Sequence, residues 1–312
     1  MSKDALPKSD PETVRKDVAS RKLRDQLFVF VGLLALFACL TALLVLFAKL
    51  VMDGSERFTW EFLTSFPSRR AAHAGILSAW VGSSLVMLVT AFTAVPVGVM
   101  AAIYLEEYAP KNWFTGIIEI NVTNLAGVPS IVYGLLALGL FVYKLDLGQS
   151  IVTAGMTLAL LILPVVIVST REAIRSVPRA IREAAYGLGA TRWEVTKDHV
   201  LPYSTGGIMT CMILGLSRAI GETAPLITIG ALAFIAFLPT PPLSSVAPFV
   251  SFTWLTDPFT VMPIQMFNWT SRPDPAFQAN AAAAGAILLA MTLLMNAFAI
   301  YIRFRFRKKI NW

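Results

Sequence analysis

The segment Arg171–Pro202 reads REAIRSVPRAIREAAYGLGATRWEVTKDHVLP, and it lies between two long apolar runs, Ile151–Thr170 and Tyr203–Leu238. A basic, Gly-punctuated segment in that position reads as a loop emerging from a membrane on its cytoplasmic side. Pro178 opens a helix over Arg179–Tyr186. Gly187 and Gly189 supply a turn, because glycine adopts positive φ without strain. A second short helix, Thr191 to about Val200, precedes Pro202 at the mouth of the next apolar run. Helix, glycine turn and helix make a compact unit able to seat in a partner's groove.

Working outward, the other apolar runs are long enough to be spans. About 20 residues cross the roughly 30 Å hydrocarbon core. Leu27–Val51 is the first span, Ile76–Leu105 the second with Pro96 inside it, and Leu125–Tyr143 the third. Trp113–Asn124 is amphipathic and fits an interfacial helix ahead of that third span. Ile151–Thr170 is the fourth. Tyr203–Leu238 is the fifth, and its 36 residues would make a helix of about 54 Å, so it is expected to break near Gly221–Pro225. Ala279–Tyr301 is the sixth.

The fold class is therefore all-α integral membrane with six transmembrane helices and both termini in the cytoplasm. Residues 1–26 form a cytoplasmic N-terminal tail, partly disordered and too acidic for the start of a signal peptide. Residues 27–51 are the first span and 76–303 the core, with the loop 171–202 inside it. The outer loop 239–278 holds eight of the 18 prolines, and 304–312 is a second cytoplasmic tail.

Composition and charge agree with this. Of 312 residues 56% are hydrophobic and 14% charged, against about 25% charged in soluble domains. Mean hydropathy is +0.67. Of 26 Lys and Arg, seven lie in 1–26, six in 171–197 and five in 303–309. Six spans place all three clusters inside. Each cluster abuts an apolar run instead of forming one basic face, which argues against nucleic acid as a partner and for membrane lipid as the surroundings. His73, His199, Cys39 and Cys211 show no metal-ligand spacing.

No P-loop, serine elbow or metalloprotease motif occurs, so the chain is read as non-catalytic, with any nucleotide held by another chain. The second informative stretch is Ser217–Pro225, SRAIGETAP. An ionised side chain in mid-span costs at least about 2.5–3.5 kcal/mol, which makes Arg218 and Glu222 functional candidates. They are four residues apart and share a helix face. A guanidinium suits an oxyanion with several acceptors, with Glu222 holding it between substrates. The alternative is a purely structural pair. Thr223 follows directly. In span three Asn124, Ser130 and Tyr133 are weaker path candidates, helix packing being their simpler role. Arg171 reads as an interface anchor ending span four. The aromatics of 239–278 (Phe249, Phe252, Trp254, Phe259, Phe267, Trp269) read as interfacial, or as a docking face for an external protein.

Glu183-Ala184-Ala185, Gly189 and Leu201-Pro202, at their spacing, resemble the EAA loop of bacterial ABC-importer permeases, with His199 where that family has a branched aliphatic residue. The resemblance implies a MetI-like permease in the bacterial cytoplasmic (inner) membrane. Glu183, Ala184, Ala185, Gly189 and Pro202 would dock a partner ATPase that carries ATP and Mg, the chain itself binding no cofactor. Within that family, RAIGETAPL (218–226), EAAYGLGATRW (183–193) and VPSIVYGLL (128–136) are similar to the PstA-type permeases of phosphate-specific transporters, from about Leu77 onward. That implies a role for Arg218 in phosphate transport; Glu222, Thr223 and Ser130 are the further path candidates read from the residues themselves. It also implies a second permease of PstC type, two PstB-type ATPase subunits and an external PstS-type phosphate-binding protein. Other solutes (sulfate, molybdate, amino acids) or a self-sufficient secondary transporter are the alternatives. The latter would be expected to show an inverted repeat, and none is evident.

Overall fold

A computed structural model describes residues 11–241 and 251–307. Among them every regular element is helical, and the one β-contact is an isolated bridge between Ser150 and Pro258. Five helices are long and apolar enough to cross a membrane, and a bent pair makes a sixth candidate. The expected fold class is thus borne out.

Contacts divide the chain into two units, Met1–Met52 and Asp53–Trp312. The first unit is carried by α1 (Pro11–Asp53). Its helix begins at Pro11, so residues 11–26 of the expected tail are continuous with the first span, and residues 1–10 lie outside the described residues. No Gly or Pro follows Pro11 until Gly32, and Arg, Lys, Leu and Ala are good helix formers. From Leu27 to Leu46 its large apolar side chains are exposed, as lipid-facing residues are.

The second unit starts earlier than the expected core boundary at residue 76. Short helices, including α2 (Trp60–Thr64), order the segment after Asp53. Phe62 is fully buried against Trp269 and Phe277, and Arg57 donates to the carbonyls of Ala72 and Ala74 at 2.8 and 2.7 Å.

Helix α3 (Leu77–Ile103) runs through Pro96 into a π-helical turn, Tyr104–Tyr108. It packs along α6 (Ile151–Arg175), and small residues permit the approach. A Cβ on Gly155 would meet Val89 at 2.4 Å, and one on Gly98 would meet Val166 at 2.7 Å. Thr90 bonds across the seam to the Gly155 carbonyl at 3.2 Å. The central core forms here, around Val86, Leu158, Ile162 and Val166.

The third span is not straight. Helix α4 (Trp113–Leu125) and α5 (Ser130–Ala137, continuing in wide turns to Lys144) meet at 106°. Pro129 removes a donor and restricts the residue before it, which ends the first helix. The Tyr133 hydroxyl closes the bend by donating to the Leu125 carbonyl at 2.8 Å.

Helix α6 continues past Thr170 to Arg175. Helix α7 (Arg179–Gly187) follows Pro178 as expected. The second loop helix differs from expectation. It opens at Thr191 with a capping box to Glu194, forms α8 (Arg192–Glu194), and passes through a π-helical stretch (Val195–Val200) into α9 (Leu201–Ile220). It is one rod with span five, 29 residues long. The wide turns accommodate Pro202, which supplies no N–H to a regular ladder.

The break in span five falls where expected. Gly221 caps α9, and α10 (Ala224–Thr228) begins after Thr223. Beyond Gly230, at φ +90°, the chain is extended to residue 241 and held on α3 by Ser78, whose hydroxyl donates to the Ile235 carbonyl at 2.9 Å. Helix α11 (Met262–Thr270) precedes α12 (Ala276–Arg307). The latter outruns its expected end at Tyr301, since nothing in Arg303–Arg307 breaks a helix.

Candidate functional site

The sequence singles out two regions, and the structure treats them differently. The first is the loop end of α6 to α8. The turn is made by Gly189 alone, at φ +87°, while Gly187 is the last residue of α7. A Cβ on Gly189 would touch nothing within 4 Å, so glycine is needed there for backbone conformation and not for space.

Glu183 and Ala184 are exposed, but Ala185 is buried. It packs inward with Ile174, Val177, Val195 and Val200, which corrects the expectation that both alanines face a partner. Ala185 stands three and four residues from Arg182 and Ile181, on the face of α7 that packs against the chain, whereas Ala184 is turned about 100° away from it. The exposed surface holds a residue the sequence reading missed, Leu188, 90% exposed at the tip, flanked by the exposed Tyr186 and Trp193. The signal was available, since an apolar residue stands between two glycines of a polar loop. Pro202 lies half-buried inside the rod and away from that tip. His199 falls within the π-helical stretch, half-buried.

Behind this tip lies an ion network that sequence reasoning also missed. Arg171 lies within α6, four residues before its end, and its side chain is 10% exposed. One of its terminal nitrogens meets Glu119 of α4 at 2.7 Å and Glu106, after α3, at 3.4 Å. Arg175 clasps Glu106 through two nitrogens at 3.2 and 3.1 Å. Arg182 of α7 meets Glu107 at 2.8 Å. A cavity of about 670 Å³ beside the network is lined by five cationic side chains and four carboxylates, Glu106, Glu107, Glu119 and Glu183. An anion entering there would compete with carboxylates already in place.

The second region is the break at the far end of α9. Arg218 and Glu222 do share a face, with Arg218 Nε donating to Glu222 Oε1 at 3.4 Å. Among the described residues this is the hydrogen bond Arg218 makes, and its side chain remains 45% exposed. Its helix neighbours Gly215, Ala219 and Ile220 face the core, whereas Leu214 on its own side is exposed. Thr223 is the half-buried cap residue of α10, and its side chain makes no cap bond.

Ser130 starts α5, and α5 packs directly on α10. Gly134 makes this possible, since a Cβ there would overlap Thr228 Oγ1 and Pro225 Cα at 1.8 and 2.7 Å. The bent third span and the broken fifth thus meet just past the end of α9 that carries Arg218. Asn124, exposed on α4, lies before the bend. Chemically, the break offers a guanidinium with donors to spare in an apolar setting.

The aromatics of the outer segment separate into two groups. Trp254, Phe259 and Trp269 are core residues, because the segment folds back on α3 through a Met262 N–H to Ser83 hydroxyl bond of 2.9 Å. Phe252 and Phe267 are exposed, and Phe249 lies outside the described residues.

Residues 94–309 match the family described as "Binding-protein-dependent transport system inner membrane component". The chain belongs to that family. It is a multi-pass inner-membrane permease component of an ABC importer, a non-catalytic subunit whose family works with an ATPase and a binding protein. A probable ABC transporter permease protein, YqgI of Bacillus subtilis (strain 168), is 30% identical over 94% of this chain and 99% of its own length. A phosphate transport system permease protein, PstA of Yersinia pestis, is 31% identical over 92% of each chain. Among solved structures, a chain of the MetNI methionine ABC transporter in inward-facing conformations superposes with a TM-score of 0.57. It covers 74% of this permease and 95% of the solved chain at 13% identity, a likeness of fold.

Proposed function

We propose that this permease carries inorganic phosphate, delivered by an external PstS-type binding protein, along a path that passes Arg218. The observation that carries the reading is the state of Arg218, which is partly exposed, bonded to Glu222 at 3.4 Å and set in an apolar helix. Left facing lipid, such a charge costs at least about 2.5–3.5 kcal/mol. A second permease subunit of PstC type covering this side of α9 would remove that cost and enclose a path. Phosphate then offers the several acceptors a guanidinium's fork requires. The similarity to a phosphate permease over 92% of the chain supports the substrate. Glu222 holds Arg218 between substrates, and Thr223 and Ser130 border the path.

The cytoplasmic tip of Glu183, Ala184, Leu188 and the Gly189 turn docks on one of the two PstB-type subunits of the complex, which bind ATP and Mg. Leu188 is the apolar anchor, and Glu183 offers a charge at the rim. The test is reconstitution of the four-component complex in liposomes. Phosphate with its binding protein should stimulate ATP hydrolysis and accumulate inside, while sulfate and molybdate should not. Stimulation by sulfate or molybdate instead would replace the substrate. Gly189→Val, which forces a branched residue into positive φ at about 1–2 kcal/mol, should release the ATPase or uncouple it. Unchanged co-purification and transport in that variant would remove the docking assignment.

A further inference from the structure

Helix α7 is nine residues long and hangs from α6 by Ser176-Val177-Pro178, with the Gly189 turn at its other end. A lever so attached would flex at its joints when pushed, unless something stiffer than the linkers ties it to a span. The network behind it contains such a tie. Arg182 bonds Glu107 through two nitrogens, at 3.2 and 2.8 Å. The same guanidinium donates to the carbonyls of Val177 at 2.6 Å and Ile174 at 2.9 Å. The Val177 carbonyl lies in the linker just past α6, and the Ile174 carbonyl, in its last turn, also accepts from the Val177 N–H at 3.2 Å.

The pair is sheltered, with side chains 17% and 9% exposed. Screening is weak there. Both nitrogens converge on one Glu107 oxygen, Oε1, while the bonds to the Val177 and Ile174 carbonyls hold the plane of the guanidinium, so the pair is fixed in direction as well as distance. Glu107 sits in the π-helical turn that ends α3. Its neighbour Glu106 is clasped by Arg175 and Arg171, and Arg171 also holds Glu119 on α4. One chain of charges therefore joins α7 to three other helices. Apolar contacts in the same place, from Ala185 and Ile181 towards Ile103 and Val99, fill the seam but resist sliding less than a directional pair does.

We propose that Glu107 and Arg182 are positioning residues for transport. They lock α7 to the end of α3, so that displacement of the docking tip moves the spans instead of bending the loop. This rests on the docking reading of the 183–189 tip, and the two can be separated by readout. Docking is scored by co-purification of the ATPase, the link by phosphate moved per ATP hydrolysed.

Glu107→Gln keeps the shape and removes the charge. In the full complex it should retain the ATPase and its hydrolysis, while phosphate moved per ATP falls about tenfold, within the range single network residues give. Glu107→Asp keeps the charge and should retain most of the ratio. A structural role alone would reduce the amount of assembled complex and leave the ratio untouched. A wild-type ratio in Glu107→Gln therefore overturns the link, as does an equal loss in Glu107→Asp. If Glu107→Gln fails to assemble, Arg182→Lys keeps a charge without the fork. A reduced ratio there supports the link, and a wild-type ratio overturns it. Failure of the wild-type chain to hold the ATPase counts against the docking tip itself.

Discussion

Arg171 and Arg218 are both arginines near the ends of spanning helices, α6 and α9, yet they live in opposite circumstances. Arg171 is buried, with carboxylates from two other segments at 2.7 and 3.4 Å. Arg218 is half exposed, with a partner one turn away on its own helix at 3.4 Å. A buried cation surrounded by counter-charges has used its electrostatic capacity on the fold, and removing it leaves charges stranded. A cation with spare donors, in a setting where donors are costly to leave idle, is placed for something not covalently attached. Charge in a membrane helix marks a functional candidate, and the completeness of its pairing separates scaffold from path.

The most severe test is Arg218→Ala. Phosphate uptake should fall by about 100-fold or more, the scale of losing a desolvated charged contact of about 2–5 kcal/mol, while the complex still assembles. Normal uptake would make Arg218 a second structural arginine and erase the contrast. Arg171→Met should act the other way round. By freeing Glu119 and loosening Glu106 it should lower stability by about 3 kcal/mol, read as a lower melting temperature and less assembled complex, with transport per assembled complex changed little. A variant that assembles at wild-type levels yet does not transport would move Arg171 into the path. The smallest effect is expected from Glu222→Gln. An i,i+4 pair is worth about 0.5 kcal/mol at an accessible site, so uptake should change about twofold. A loss as large as that of Arg218→Ala would make the two residues one functional unit and sharpen the picture of a gated guanidinium.

Much of the architecture was legible because membrane solvation writes itself into long apolar runs. The break near Gly221 could be foreseen because a largely apolar run of 36 residues is too long for one crossing, and the Gly189 turn because only glycine is strain-free at φ +87°. The ion network was not legible. Glu106 and Glu119 stand 65 and 52 positions from Arg171, and no local pattern says which distant carboxylates a helix will meet. The separation of α4 from the third span was legible as an amphipathic helix ahead of it, but the 106° angle between α4 and α5 was not, since hydropathy registers length and not direction. Ala185 turned inward for a reason that needs three dimensions, namely which side of a short helix the rest of the chain occupies.

The merging of α8, the π-helical stretch and α9 into one rod fixes a mechanical scale. From Arg192 to Arg218 the axis is about 39 Å long at roughly 1.5 Å per residue. A tilt of about 5° pivoting at the loop end would carry Arg218 sideways by roughly 3 Å over that length. That displacement is as large as the whole donor–acceptor distance of a hydrogen bond, so an angular change small enough to leave the packed core of the bundle intact is enough to make or sever a guanidinium–anion contact at the other end of the helix.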